Sequence, residues 1–222
     1  MTSAHRLPVV VLISGSGSNL QAIIDGAKQD LPIEIRAVIS NRPDAYGLQR
    51  AQQSGIETAV LNHQSYPDRE SYDRALISLI DGFSPGLVAL AGFMRILTPA
   101  FVRHYAGRLL NIHPSLLPNY TGLHTHQRVL DAGDRLHGAT IHFVTEKLDG
   151  GPSIVQAQVM VEAGDDADGL AARVLEKEHQ IYPLAIRWFA ENRLVMDENG
   201  EVWLDDKKLD RPVLLSPQEP IG

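Results

Sequence analysis

Short apolar runs alternate along this chain with longer segments whose apolar residues recur at helical spacing. Pro8 to Ser14 (PVVVLIS) is rich in β-branched residues and has no polar alternation, which is typical of a strand covered on both faces of a parallel sheet. Further strands are predicted at residues 33–40, 57–61, 87–93, 109–113, 138–144 and 154–161. Helical spacing is found at residues 20–27, 46–54, 68–83 and 166–192, with an interruption expected at Pro183.

This order of elements predicts an α/β fold with a mostly parallel twisted sheet and helices on both of its faces. A helix is also expected to begin at Thr98-Pro99, and a C-terminal β-hairpin is expected around Asn199-Gly200. We predict a single domain at residues 1–209. The remaining residues, 210–222, contain three prolines and are predicted to form a loosely held tail.

A glycine-rich turn joins the first predicted strand to the first helix. Gly15 to Asn19 (GSGSN) lets the backbone approach a ligand, and the helix N-terminus that follows offers free N–H groups to an anion. We expect Ser18 or Asn19 to cap this helix. A dinucleotide fingerprint would need a glycine where Leu20 stands and an acid where Ser40-Asn41 ends the second strand. The turn therefore favours a single phosphate monoester over NAD, with a turn that binds nothing as the alternative.

The segment Leu109 to Pro118 (LLNIHPSLLP) places polar residues directly after an apolar run. In an extended backbone Asn111 and His113 leave the strand on the same face while Ile112 turns to the other, and Pro114 ends the strand. An amide donor beside an imidazole suits a reaction in which negative charge grows on an oxygen. The alternative is a strand end whose polar residues simply face water.

Three other segments are candidates for function. Gly92 to Leu97 (GFMRIL) follows a strand at the edge where ligands of open α/β sheets bind, and it could hold a flat ring or merely anchor a loop. Asp149, followed by two glycines and a proline, is either part of a plain turn or a partner for His113. Asn119 to His126 is predicted to be a mobile segment over the site. Its two histidines are a weak metal signal because no acid cluster lies nearby in sequence.

Composition narrows the classes of protein. The chain has 222 residues, 44% of them hydrophobic and 21% charged, and no cysteine, which excludes thiolate nucleophiles, Cys-ligated zinc and disulfides. A formal net charge of -7 without a run of Lys or Arg argues against nucleic acid as a partner. No apolar run approaches the length of a membrane span. We expect a soluble, unexported protein of the cytoplasm, and its oligomeric state stays open.

Four segments together, VLISGSGSNLQAII, LAGFMRIL, LLNIHPSLLP and LDGGP, resemble the folate-dependent formyltransferase family in their order and spacing. The resemblance extends over residues 9–209 and implies a Rossmann-like formyltransferase fold. It implies transfer of a formyl group from 10-formyltetrahydrofolate, as co-substrate, to the amine of glycinamide ribonucleotide in purine synthesis. The partners would then be small molecules rather than a nucleic acid or a membrane, and no metal would be needed.

The same resemblance implies roles for individual residues. The catalytic residues would be Asn111, His113 and Asp149. The nucleotide would be bound by Gly17, Ser18, Asn19 and Glu178. The folate would be bound by Arg69, Met94, Arg95, Ile96, Leu97 and Asn111. Arg69 has an alternative interpretation, as an exposed helix residue paired with Asp73.

In the implied reaction, Asn111 and a protonated His113 hold the oxyanion that forms on the formyl oxygen. A carboxylate within about 4 Å favours the protonated imidazole by on the order of a few kcal/mol, which is the role expected of Asp149. Two other functions stay open from the sequence. One is hydrolysis of formyltetrahydrofolate, with water in place of the amine. The other is a phosphate-binding module without catalysis.

Overall fold

A computed structural model describes residues 6–216. The chain divides into two compact units, residues 1–111 and residues 112–222. The boundary falls within one strand, β5. Outside a small separate sheet near the C-terminus, the strands follow the order β11-β7-β6-β5-β4-β1-β2-β3, with β numbers in chain order.

The first unit alternates strands and helices. Its strands are β1 (Leu7–Ile13), β2 (Ile33–Ser40), β3 (Thr58–Val60), β4 (Leu87–Leu90) and the beginning of β5 (Leu109–His113). Its helices are α1 (Ser18–Gln29), α2 (Tyr46–Gln53), α3 (Arg69–Asp81) and α4 (Pro99–His104), with a short 3-10 turn at His63–Ser65. All of its strand pairs are parallel. Residues 9–13 of β1 are fully buried, as expected of a strand covered on both faces.

The second unit contains an antiparallel pair and a long helix. Its helices are α5 (Thr125–Ala132) and α6 (Ala167–Ala190), and its sheet strands are β6 (Leu136–Phe143), β7 (Ser153–Met160) and β11 (Val213–Leu215). A second sheet of three antiparallel strands is formed by β8 (Leu194–Met196), β9 (Val202–Leu204) and β10 (Lys207–Lys208). β6 is antiparallel to β7, and β11 is parallel to it. The predicted α/β class, the mostly parallel sheet and the C-terminal hairpin are thus confirmed.

The predicted interruption at Pro183 is wrong, because α6 continues through this residue as one helix of 24 residues. A proline inside a helix removes one hydrogen bond and typically costs about 3 kcal/mol. Side chains along one stripe of α6 are buried, including Val174, Tyr182 and Ile186, and the helix packs on β6 and β7. This packing offsets the missing hydrogen bond.

The segment after β5 differs in part from the prediction. The Leu117-Pro118 peptide bond is cis. A cis bond is what the sequence predicts at this position, because the chain must turn sharply after the strand at residues 109–113. The helix α5 was not predicted, because its eight residues carry few apolar side chains and only Thr125 and Val129 are buried. The mobility of residues 119–126 stays a prediction.

The boundary between the predicted domain and its tail also stays a prediction. Within the segment assigned to the tail, residues 213–215 form β11 and pair with residues 155–157 of β7, so this part is held by strand pairing. Residues 217–222 of the tail lie outside the described part of the chain. None of the helices within residues 6–216 is long and apolar enough to cross a membrane.

Two histidines fasten α5 to β6. The Nε2 atom of His137 lies 3.0 Å from Nδ1 of His126, and the two rings meet edge to face. Burial lowers the pKa of His137 to about 4, with smaller contributions from the positive charges that His126 and His113 can carry. Burial also lowers the pKa of His126. Both rings are therefore held uncharged near neutral pH, when one can donate and the other accept.

We predict that this pair makes the protein less stable in mild acid. His137 has a folded pKa of about 4, below the value of about 6.5 for an unfolded chain. Its contribution to stability is thus complete above about pH 6.5 and is lost as the pH falls toward about 4, by at most about 3 kcal/mol. Urea unfolding of His137→Gln should show a shallower loss of free energy of unfolding between these pH values than the parent. His124→Asn, which removes an exposed imidazole from the same helix end, should keep the parent's slope, and equal slopes for all three proteins would contradict the prediction.

Candidate active site

The end of β5 presents a buried pair of ionisable side chains. His113 is the last residue of β5, and its Nδ1 atom lies 3.6 Å from Oδ1 of Asp149. Each of these side chains is only 8% exposed. The structure therefore brings together the imidazole and the carboxylate that the sequence suggested as partners.

The second ring nitrogen of His113 faces a backbone oxygen. Nε2 lies 2.9 Å from the backbone oxygen of Tyr120. A carbonyl oxygen can only accept, so Nε2 carries a hydrogen and donates it. Both ring nitrogens of His113 therefore face oxygen atoms, one of the Asp149 carboxylate and one of the backbone.

Asp149 is held in a special backbone conformation. Its φ is +49°, a value that few non-glycine residues adopt. Its second carboxylate oxygen, Oδ2, accepts a hydrogen bond of 2.8 Å from the backbone N–H of Gly122. Asp149 therefore contacts His113 with one oxygen and the segment that follows the cis bond with the other. The carbonyl of Tyr120 and the N–H of Gly122 were not predicted, because backbone groups carry no signal of residue type.

Buried polar side chains support the chain between β5 and α5. The Thr140 hydroxyl donates to the backbone oxygen of Ser115 at 2.6 Å and accepts from the backbone N–H of Leu117 at 3.1 Å. The Gln156 amide donates to the backbone oxygen of Leu117 at 2.7 Å. Thr140 and Gln156 lie on β6 and β7. A threonine at a buried strand position was the only sequence signal for this network.

Asn111 lies two residues before His113 on β5, and both side chains leave the strand on the same face. It is half-buried and stands opposite Leu90 of β4.

Glu178, which the resemblance assigns to the nucleotide, lies within α6 and is 7% exposed. A carboxylate is seldom buried to this degree unless it is paired.

The predicted glycine turn lies between β1 and α1. Gly17 is the N-cap residue of α1, with a φ of +70°. Within the described part of the chain no side chain caps this helix, so the expectation that Ser18 or Asn19 does so is wrong. Both residues belong instead to the first helical turn, where their backbone N–H groups point out of the helix end. An uncapped N-terminus of this kind favours an anion.

Ser14 connects this turn to two other strand ends. Its hydroxyl donates to the amide oxygen of Asn41, just after β2, at 2.6 Å. It also accepts the backbone N–H of Met94, in the segment after β4, at 2.8 Å. The carboxyl ends of three parallel strands are thereby joined, which is where ligands of such sheets bind. A cavity of about 230 Å³ opens here and is lined by Ser14, Gly15, Ser16, Arg42, Asp44, Ala45 and Tyr46.

The segment after β4 exposes apolar side chains. Met94 is 70% exposed and Ile96 is 55% exposed. Arg95 is turned inward, with its guanidinium 4.7 Å from the centre of the Tyr72 ring. Leu97, the last residue of the segment, is half-buried. Exposed apolar groups beside a strand end are suited to the face of a ring-shaped ligand.

Arg69 is the first residue of α3 and is exposed. The alternative interpretation, a surface pair with Asp73, is wrong. Asp73 is 2% exposed, and its carboxylate accepts the backbone N–H of Thr98 at 2.6 Å. Asp73 therefore fastens the start of α4.

The two histidines that gave a weak metal signal have different surroundings. His126 is engaged with His137, whereas His124 is the exposed N-cap residue of α5. Residues 6–216 contain no group of three or more His, Asp or Glu side chains arranged to hold a metal ion.

Comparisons with known proteins agree with this arrangement. A family model described as "Formyl transferase" matches residues 7–186. Phosphoribosylglycinamide formyltransferase from Escherichia coli is 60% identical over 202 residues, 90% of this chain and 95% of that protein. The enzyme of the same name from Haemophilus influenzae is 48% identical over the same shares. The structure of the Coxiella burnetii phosphoribosylglycinamide formyltransferase in complex with CHES superposes with a TM-score of 0.91 at 52% identity, covering 95% of this chain and 99% of that one. With fold, motifs and relatives in agreement, this chain belongs to the formyl transferase family.

Proposed function

We propose that this chain is a phosphoribosylglycinamide formyltransferase of purine biosynthesis that works in the cytoplasm. It transfers the formyl group of 10-formyltetrahydrofolate to the amine of glycinamide ribonucleotide, and it releases tetrahydrofolate and the formylated nucleotide. The proposal is supported by relatives with that name that match this chain over nearly their whole length. The observation that carries it is the buried His113 and Asp149 pair at the end of the strand that also holds Asn111.

The reaction requires that an oxyanion is stabilised and that protons are transferred. The substrate amine attacks the formyl carbon, and the C=O electron pair moves onto the formyl oxygen. Asn111 donates a hydrogen bond to that oxygen, and the imidazolium of His113 stabilises its negative charge. When the oxyanion collapses, the bond from carbon to the folate nitrogen breaks. That nitrogen takes up a proton as the attacking amine loses one, so atoms and charges balance.

Asp149 has two roles in this proposal. Its charge keeps His113 protonated while the oxyanion forms. Its hydrogen bond to Gly122 holds the neighbouring backbone in place. Because both side chains are shielded from water, their mutual attraction is stronger than it would be at the surface.

The two substrates are assigned to different groups. The phosphate of the nucleotide is bound by the backbone of Gly17, Ser18 and Asn19 at the uncapped start of α1, and Glu178 accepts hydrogen bonds from the ribose hydroxyls. The folate ring lies against residues 94–97, whose apolar side chains are exposed. The exposed guanidinium of Arg69 suits a carboxylate of the folate tail. A homo-oligomer is compatible with these assignments and is not required by them.

A single assay separates the proposed function from its alternatives. The absorbance change that accompanies release of tetrahydrofolate should be fast only when both formyltetrahydrofolate and glycinamide ribonucleotide are present. Fast change without the nucleotide would identify a hydrolase. No change with either mixture, together with phosphate binding measured by calorimetry, would identify a binding module.

The phosphate assignment predicts a selective effect of Gly17→Ala. A Cβ atom at Gly17 would lie 2.5 Å from the Cα of Gly47, and the φ of +70° disfavours a side chain. The turn must therefore shift, and the KM for the nucleotide should rise about 10- to 100-fold, as expected when one or two hydrogen bonds to a charged group are lost. The KM for folate should change little. Gly55→Ala has the same φ but meets nothing within 4 Å, so it should leave both values near those of the parent. Equal weakening of both substrates by Gly17→Ala would count against the assignment.

The role of Asp149 is tested by Asp149→Asn, which keeps an acceptor for Gly122 and removes the charge. Asparagine also tolerates the positive φ of this position. The turnover rate near neutral pH should fall by at least about 100-fold, as for loss of an oxyanion donor. Adding His113→Ala to this variant should cost much less than in the parent, because residues that act as one unit are not additive.

Asp134→Asn is the matched control for this variant. Asp134 accepts a hydrogen bond of 2.6 Å from the Tyr120 hydroxyl, so it contacts the same segment at a distance from His113. Its substitution should change the rate less than about threefold. Additive effects of Asp149→Asn and His113→Ala, with a small loss of rate in each single variant, would reject the coupling.

A further inference from the structure

Residues of α2 donate hydrogen bonds to two carbonyl groups of the glycine turn. The backbone oxygen of Gly15 accepts the N–H of Gly47 at 3.0 Å. The backbone oxygen of Ser16 accepts Nε–H of Arg50 at 2.9 Å. Both donors belong to α2. Two carbonyl oxygens of the glycine turn are therefore already bound.

The backbone of α2 lies in close contact with the backbone of the glycine turn. A Cβ atom on Gly17 would lie 2.5 Å from the Cα of Gly47, and one on Gly47 would lie 3.1 Å from the Cα of Gly17. Only glycines can occupy both positions without a shift. This contact sets Arg50, almost one helical turn after Gly47, beside the turn.

Arg50 is held in place by more than the carbonyl of Ser16. Its Nη1 atom donates to the amide oxygen of Gln21 at 3.3 Å. Its guanidinium carbon lies 5.0 Å from the centre of the Tyr46 ring, in the geometry of a cation–π contact. The side chain is half-buried. These three contacts hold the Arg50 side chain in one orientation, which a fully solvated arginine would not keep.

The hydrogen bond from Arg50 acts on the N–H of the next residue. The carbonyl of Ser16 and the N–H of Gly17 belong to one peptide unit. A hydrogen bond donated to that carbonyl draws electron density toward the oxygen, and the N–H becomes a stronger donor because hydrogen bonds in a chain polarise one another. The same bond holds the oxygen in the direction of α2. An anion at the turn therefore meets N–H groups and is spared the repulsion of a free carbonyl.

We propose that Arg50 is a positioning residue for the nucleotide phosphate: it orients and polarises the peptide between Ser16 and Gly17 and does not contact the phosphate itself. This proposal rests on the proposed function, because it deepens the phosphate assignment. The proposal attributes the effect on nucleotide binding to the hydrogen bond that Nε donates to the Ser16 carbonyl. The net charge of the side chain contributes less.

Three substitutions separate the Nε contact from the charge. Arg50→Gln places an uncharged N–H donor at the position of Nε. Arg50→Lys keeps the charge but has no donor at that position, and Arg50→Met has neither. With Arg50→Met the peptide between Ser16 and Gly17 can turn, and its N–H group loses its hydrogen bond to the charged phosphate, so the KM for the nucleotide should rise about 10- to 100-fold. The KM for folate and the turnover rate at saturation should stay within about threefold of the parent.

The order of the variants decides the outcome. Arg50→Gln should recover most of the nucleotide affinity, and Arg50→Lys should stay close to Arg50→Met. A KM for Arg50→Lys equal to or lower than that for Arg50→Gln would overturn the proposal and assign the effect to charge. So would three variants that all match the parent, or a rise in both KM values together.

Arg36→Met is the matched control. Arg36 also donates to a backbone oxygen, that of Phe83, at 2.9 Å, and it lies on β2 away from the turn. Its substitution removes the same charge and a bond of the same kind, and both KM values should stay within about twofold of the parent. A nucleotide KM raised as much as in Arg50→Met would also overturn the proposal.

Inorganic phosphate separates a failure of this proposal from a failure of the proposed function. Calorimetric titration of phosphate into the parent and the three Arg50 variants needs no turnover. The dissociation constants should rise in the order parent, Gln, Lys, Met. If the parent does not formylate the nucleotide, the proposed function fails while this order still tests Arg50. If the parent formylates the nucleotide and the order is absent, only the role of Arg50 is rejected.

Discussion

Burial of the His113 and Asp149 side chains is a constraint that shapes the chain around the end of β5. A buried polar side chain is costly unless its surroundings replace the hydrogen bonds that it would make to water. Here the replacement comes from backbone groups, the N–H of Gly122 on Asp149 and the carbonyl of Tyr120 on His113. These groups can reach the pair only if the chain bends sharply after β5. The positive φ angles of Tyr120 and Asp149 are consistent with that demand.

The same constraint explains the polar layer beneath the bend. Ser115 and Thr140 are completely buried, and each would be costly there without a partner. The bonds of Thr140 to the backbone on both sides of residue 116 satisfy the hydroxyl and fix the chain at once. A hydrophobic residue at position 140 could fill the space but could not hold these backbone groups. The polar residues of this network bury less apolar surface than hydrophobic residues would, but they fix the path of the loop.

The sequence predicted what depends on local periodicity. The buried run of β1 and the α/β alternation follow from patterns that the strands and helices themselves impose. The residue types at the end of β5 and before Gly150-Gly151 also gave a partnership of His113 with Asp149 as one of two interpretations, the other being a plain turn. Features that depend on contacts with distant parts of the chain could not be predicted from local periodicity. The continuity of α6 through Pro183 depends on packing against β6 and β7, and β11 depends on pairing with residues 155–157.

Backbone contacts were the other limit of sequence reasoning. The glycine turn was recognised, but its pairing with Gly47 was not, because a single glycine early in α2 has no distinctive pattern. The cap of α1 was assigned to a serine or an asparagine on propensity, whereas the helix begins after Gly17 and carries no side-chain cap within the described residues. A capping side chain would occupy the N–H groups that an anion needs. Propensity failed here because the N-cap residue is Gly17, whose φ of +70° suits glycine and which has no side chain to form a cap.

In the proposed reaction, capture of the nucleotide and transfer of the formyl group depend on different parts of this chain. The turn before α1 offers backbone N–H groups, which do not ionise in the physiological range. In that proposal the attraction of the turn for a phosphate monoester varies with the second ionisation of the phosphate, near a pKa of about 6. Formyl transfer depends instead on the buried His113 and Asp149 pair. The nucleotide KM therefore reports on the turn, whereas the rate at saturation reports on the buried pair.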